Sequence, residues 1–293
     1  MKHIFMVNRF SLRERLDNYV TIIEKVAKRL KLDYVIEIND DDNTTEDILS
    51  KYKKSKDIIY AVGGDGIINR VINSIYGTKN KVACIPAGTG NDFNRSINEF
   101  FENGDNLVDL IKCNNQYLIN VACFGADADI ANDNKIIHNK FIPRPLQYKV
   151  GVVKELIIFK PYKMTLKWDK ESRTGKFGIV TVCNGSYYGG GFHINGEGIY
   201  NDGLMDVYII NATNRRQIIN YLLKLLKGKP KDSKYTEHVR TNSFTLITEE
   251  PIEGNLDGES LLTNKFEMKI IPKAITFYYN KKLIEEINKD LGG

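Results

Sequence analysis

At residues 59–69 the chain reads IYAVGGDGIIN: an apolar run, two glycines, an aspartate, a third glycine and a return to apolar residues. Core packing gives no reason for such a stretch, because glycine weakens a strand and an unpaired buried carboxylate is costly. Phosphate chemistry does. Glycines at 63, 64 and 66 let a phosphate approach bare backbone amides, and the IINRVINSI that follows begins a helix whose N-terminus favours negative charge. Asp65 would either hold Mg2+ against those phosphates or orient the hydroxyl that attacks them. The plainer alternative is a tight strand-to-helix turn with an N-capping aspartate. On the first reading, removing the Asp65 charge costs activity and leaves the fold intact.

A second turn, IPAGTGNDFNRSI at 85–97, has the same character. Gly88 and Gly90 free the backbone, Thr89 and Asn91 supply neutral phosphate donors, and Asp92 caps the next helix. Neither turn carries the Walker pattern GxxxxGK[ST] or the full dinucleotide fingerprint GxGxxG. Near the other end, LDGE at 256–259 sets Asp257 and Glu259 on either side of Gly258. Transfer of a γ-phosphoryl group to an alcohol needs a carboxylate near the attacking hydroxyl; Asp-Gly is also a common hairpin turn.

These residues need a frame. Over the first 116 residues strand-like and helix-like segments alternate, from HIFMV through DIIYAV to KVACIPAG, which predicts a three-layer α/β domain with a parallel sheet. In such sheets ligands collect at the carboxyl ends of the strands, where both glycine turns fall. From 117 to 280 the pattern is mostly strands punctuated by turns, which predicts a β-sandwich second domain. Helical patterns interrupt it around PLQYKVGVVKELIIF and NRRQIINYLLKLLKG, and a last helix at 281–293 returns to the first domain.

In this order the motifs resemble one family, the diacylglycerol kinase-like lipid kinases, which include bacterial diacylglycerol kinases and sphingosine and ceramide kinases. GGDGIIN at 63–69, PAGTGNDFNR at 86–95, NGSYYGGGF at 184–192, IYNDGLMDV at 199–207 and LDGE at 256–259 match five of its blocks. The resemblance implies ATP at Gly63, Gly64, Asp65, Gly66, Ile67, Ile68 and Asn69, and at Thr89, with Asn8 and Asn39 near the nucleotide; Gly88, Asn91 and Asp92 join the nucleotide site on the reading of the second turn. It implies Mg2+ held by the Ile199 carbonyl, the Asp202 carboxylate and the Leu204 carbonyl, and a proton acceptor at Glu259 with Asp257 beside it as a candidate for metal or base; Asp65 is the further catalytic candidate from the first glycine turn. Position 67 is Ile where the family usually has Thr, and VNRFSLRE at 7–14 keeps Asn8 without the family's NPxSG. The implied reaction is phosphorylation of a membrane lipid, foremost diacylglycerol to phosphatidic acid. The alternatives are an NAD kinase and a nucleotide- or lipid-binding protein without turnover.

Composition sets the remaining expectations. A net charge of +5 over 293 residues, without a basic stripe interleaved with aromatics, points away from nucleic acid. It suits an anionic ligand or an anionic membrane surface, and the basic segment 135–163 is the candidate for contact with lipid. Cys84, Cys113, Cys123 and Cys183 show no metal spacing and are expected to be reduced core residues. No apolar window is long enough to span a bilayer, so a cytoplasmic protein acting peripherally at the inner face of the membrane is expected. A homodimer is among the assemblies open to it.

Overall fold

The computed structural model describes residues 1–88, 91–132, 159–196 and 198–292. The chain divides into two compact units, Met1–Asp109 with Pro272–Gly293, and Leu110–Ile271. In chain order the elements are β1 (His3–Asn8), α1 (Arg9–Leu12), α2 (Leu16–Arg29), β2 (Tyr34–Asn39), α3 (Thr45–Ser50), β3 (Ile58–Gly63), α4 (Asp65–Ile75), β4 (Lys81–Pro86), α5 (Asp92–Phe100) and β5 (Gly104–Cys113). There follow β6 (Gln116–Leu118), β7 (Val121–Gly125), α6 (Ala126–Asn132), β8 (Tyr162–Trp168), β9 (Glu171–Phe177), β10 (Ile179–Cys183), β11 (Tyr187–Tyr188) and β12 (Phe192–His193). The last are β13 (Met205–Ile210), α7 (Arg215–Leu225), β14 (Thr236–Thr241), β15 (Ser243–Leu256), β16 (Glu259–Tyr279) and α8 (Lys281–Asp290).

The first unit is built on the parallel strands β2, β1, β3 and β4, in that spatial order. The runs IFMV and IIYAV are buried residue after residue, as expected of strands covered on both faces. Helix α2 buries Tyr19, Ile22, Ile23, Val26 and Ala27, a stripe at helical spacing, against Phe5, Val7, Tyr60 and Val62. Leu283 and Ile287 of α8 enter the same core, and Arg29 pairs with Glu286 at 2.5 Å, so the C-terminal helix packs on the first unit.

The sequence reading ends the second domain at 280, whereas the second unit ends at Ile271. The reason lies in β16, a single 21-residue strand. Its early residues pair antiparallel with β15, and Phe277 lies parallel to Val82 of β4. Alternating hydrophobicity gives no sign that one unbroken strand serves two cores.

The second unit is mostly antiparallel β, with neighbours in the order β14, β13, β10, β7, β15, β16. Strand β15 changes partner along its length: Phe244–Thr248 pair with β8, and after an irregularity between Ile247 and Ile252, Asn255 and Leu256 pair with β7. Period-two alternation on β10 and β13 feeds two cores. Val180, Val182, Val207 and Ile209 pack with Phe124, Trp168, Phe244 and Phe266. Ile179, Cys183, Tyr208 and Ile210 pack on the opposite face with Ile218, Tyr221 and Leu225 of α7. All four cysteines are free and buried. The helical pattern at PLQYKVGVVKELIIF and most of the basic segment 135–163 lie outside the described residues.

Candidate active site

The parallel strands bring most of the candidate nucleotide residues into one row. Asn8 stands opposite Asn39 across β1 and β2, Val7 opposite Val62 across β1 and β3, and Gly63 opposite Pro86 across β3 and β4. Asn39, Asn8, Gly63 and Pro86 therefore mark a continuous carboxyl edge, where α/β sheets bind ligands. Asn8 caps α1 by accepting the Phe10 N–H at 3.1 Å. Asn39, buried, accepts the Arg9 N–H at 3.0 Å and donates to Thr45 Oγ1 at 3.3 Å.

The two glycine turns touch. A Cβ on Gly88 would lie 2.5 Å from Gly64 Cα, so only glycine allows this approach. The Ala87 and Gly88 N–H groups donate to the Gly63 carbonyl at 2.8 and 3.1 Å. Gly64 is the N-cap of α4, no side chain caps that helix, and a Cβ on Gly66 would meet nothing within 4 Å. The start of α4 thus presents bare first-turn amides beside open space, the geometry that anions favour.

Asp65 differs from expectation. Its two carboxylate oxygens accept the N–H groups of Asp92 and Phe93, each at 3.0 Å, at the start of α5. The carboxylate left unexplained by local packing is the N-terminal cap of a helix 27 residues further on, so its loss must also cost stability. Burial pushes the Asp65 carboxyl up, opposed by those two amides and by the charge of Arg95. Asp92, in turn, is not the N-cap residue: it begins α5, after Asn91, and accepts from Arg95 at 2.7 Å.

Asn91 also departs from the reading as a phosphate donor. In the left-handed conformation, φ 52°, it folds its amide back onto Gly88, accepting the Gly88 N–H at 3.1 Å and donating to the Gly88 carbonyl at 2.9 Å. Ile67 and Ile68 are buried, so only their backbone amides can face a ligand; Ile67 supports the turn from beneath, where a Cβ on Gly63 would meet it at 2.8 Å. Asn69, in the second turn of α4, accepts from Asn73 at 3.1 Å. Thr89 lies outside the described residues. Sequence reasoning overlooked Arg15, which ties down the second turn through the Ala87 carbonyl at 2.9 Å, and Arg95, whose spacing three residues after Asp92 was the available signal.

In the second unit, Asp257 and Gly258 form a two-residue hairpin loop between Leu256 and Glu259, with φ of 49° and 94°. Positive φ at both positions is the signature of a type I′ turn. The Asp257 carboxylate accepts the N–H of Ile119 at 2.7 Å, Asn120 at 3.2 Å and Val121 at 2.7 Å. Three amides engage both oxygens, which leaves Asp257 as an anchor for residues 119–121. Glu259 is the partly exposed carboxylate of the same turn.

The 199–204 loop offers Mg2+ one carboxylate and two carbonyls, and its arrangement does not fit an open site for that ion. Asp202 Oδ1 accepts the Leu204 N–H at 3.0 Å while Oδ2 pairs with the Arg240 guanidinium. Arg240 Nε also lies 3.3 Å from Asp206, which His238 contacts at 2.6 Å. A guanidinium already neutralises the loop carboxylate. Among the described residues no three His, Cys, Asp or Glu side chains form a metal-binding group.

Comparison with known proteins agrees with this architecture. Residues 2–121 match the diacylglycerol kinase catalytic domain family, and residues 120–279 match the YegS C-terminal NAD kinase beta sandwich-like domain family. A Shewanella frigidimarina protein named "Probable lipid kinase YegS-like" is 29% identical over 230 residues, 73% of this chain and 74% of that protein. A crystal structure described as a diacylglycerol kinase from Bacillus anthracis superposes with a TM-score of 0.77 at 22% identity, covering 96% of this chain and 97% of the other. With both domain families matched end to end across 2–279, the chain belongs to the diacylglycerol kinase-like lipid kinases, phosphotransferases with an alcohol acceptor.

Proposed function

We propose that this kinase transfers the γ-phosphoryl group of ATP to the hydroxyl of a membrane lipid, with diacylglycerol the leading acceptor and phosphatidic acid the product. The observation that carries the nucleotide half is the uncapped start of α4 beside the Gly64–Gly88 contact, on the same edge as Asn8 and Asn39. The α4 amides would take phosphate oxygens, and the backbone at 63–66 would let them approach without a side chain in the way. Asp65 acts as a positioning residue, locking α5 to the α4 turn so that the two glycine segments keep their spacing.

Glu259 is the proposed base, as the lipid kinase family's LDGE block implies, and Asp257 beside it holds backbone amides with both oxygens. As the acceptor oxygen bonds to the γ-phosphorus, its proton passes to Glu259; the bond from γ-phosphorus to the β-bridging oxygen breaks, and ADP leaves with that electron pair. Mg2+ arriving with ATP would neutralise phosphate charge. The test is transfer of labelled γ-phosphate from ATP to a panel of lipids in mixed micelles, with NAD as a soluble rival acceptor. Label in phosphatidic acid supports the reading, label in another lipid moves the acceptor, and label in NAD alone overturns it.

A further inference from the structure

Helix α7 has two unlike apolar faces. Ile218, Tyr221 and Leu225 are buried in the second unit's core. Ile219, Leu223 and Leu226 follow one another at helical spacing on the outer side and are exposed by 42%, 54% and 65%. On a 3.6-residue helix these three share one stripe, which Arg215 borders on one side and Arg216 and Lys227 on the other. From 211 to 231 the chain carries Arg215, Arg216, Lys224, Lys227, Lys229 and Lys231 and no acidic residue. No helix among the described residues is long and apolar enough to cross a membrane.

We infer that the outer face of α7 docks on an anionic phospholipid surface, seating Ile219, Leu223 and Leu226 at the acyl boundary with the flanking cations at the headgroups. An apolar stripe alone would suit several occupants; the exposed cations Arg216, Lys227 and Lys229 beside it, against the single acidic Asp232 just beyond, select an anionic bilayer. The inference rests on the lipid kinase reading and names the surface by which such an enzyme would reach its acceptor. It also places lipid contact on a second segment, distinct from 135–163.

The test uses the full chain and sedimentation with vesicles of phosphatidylcholine alone or mixed with phosphatidylglycerol. Wild type is expected to bind the anionic vesicles. Leu223→Gln with Leu226→Gln should weaken that binding about tenfold, and Arg215→Gln, Arg216→Gln and Lys227→Gln together should weaken it roughly a hundredfold. Gln is a good helix former and both sites are solvent-facing, so the variants keep the fold, which circular dichroism checks. Their rate with a dispersed short-chain diacylglycerol should equal that of wild type. The inference fails if wild type ignores anionic vesicles, if both variants bind like wild type, or if light scattering shows a wild-type dimer that the leucine variant splits, which would make the face an interface between copies. If no lipid accepts phosphate while vesicle binding behaves as described, the proposed function is wrong and the docking surface stands.

Discussion

Replacing Asp65 by Asn changes almost no volume, and the structure specifies what it breaks. One carboxylate oxygen becomes an NH2 group facing a backbone N–H, either that of Asp92 or that of Phe93. A hydrogen bond to a charged group contributes about 1.5–3 kcal/mol, and the charge itself contributes about 0.3–2 kcal/mol at a helix N-terminus. Against this, the neutral side chain no longer bears the desolvation that pushes the Asp65 carboxyl up. The net expectation is a loss of roughly 1–3 kcal/mol, or about 2–12 °C in Tm at roughly 2–4 °C per kcal/mol. Freed from its cap, α5 lets the Gly88 segment drift from Gly64, and misplacement by about 1 Å costs on the order of 100-fold in rate. Scanning calorimetry and kcat on one preparation check both numbers. A variant with wild-type Tm would refute the capping role even if activity were lost, and wild-type kcat with a lowered Tm would refute the link from cap to catalysis.

Three further predictions probe other parts of the account. Gly66→Ala, with no atom within 4 Å of the new Cβ, should keep or raise Tm yet weaken ATP binding, whereas Gly88→Ala should lower Tm because its Cβ would strike Gly64; thermal unfolding with and without nucleotide separates them. Burial pushes the Asp127 carboxyl up to about 6 against the Tyr188 hydroxyl bond, so its contribution to stability is full below about pH 4 and lost as pH rises through 6; the Tm advantage of Asp127→Asn should grow from pH 4 to pH 6 and then level. Magnesium without nucleotide should leave the wild-type Tm unchanged within about 1 °C, and Arg240→Ala, which vacates the Asp202 pair, should gain a magnesium-dependent rise; a rise of several degrees in wild type would show that the ion displaces the guanidinium.

Much of the frame was legible because its signals are local. The buried runs at 4–7 and 58–62, the helical stripe at 19–27 and the Asp-Gly loop at 257–258 each express one element's own preference. The glycines at 64 and 88 were legible as a pair of turns. Their contact was not, because it depends on β3 and β4 lying side by side. Asp65, Asp257 and Asp202 share that limit. Each of these carboxylates precedes a glycine, and each finds its partner far along the chain: amides 27 and 28 residues on, amides 136–138 residues back, a guanidinium 38 residues on. Chemistry-bearing residue types were therefore readable, while which of these carboxylates hold backbone or a guanidinium required three dimensions. Glu259 is the base to test because the LDGE block implies it, while its neighbour Asp257 anchors the backbone.

The central claim is phosphoryl transfer to a lipid hydroxyl with Glu259 as proton acceptor, and Glu259→Gln meets it most directly. The amide keeps the shape of the side chain and removes its basicity, so transfer of labelled phosphate from ATP to diacylglycerol in micelles should fall by about 10²–10⁴ in kcat while the ATP Kd stays within about twofold of wild type. A variant that turns over at the wild-type rate, or one that loses ATP binding along with activity, would contradict the account.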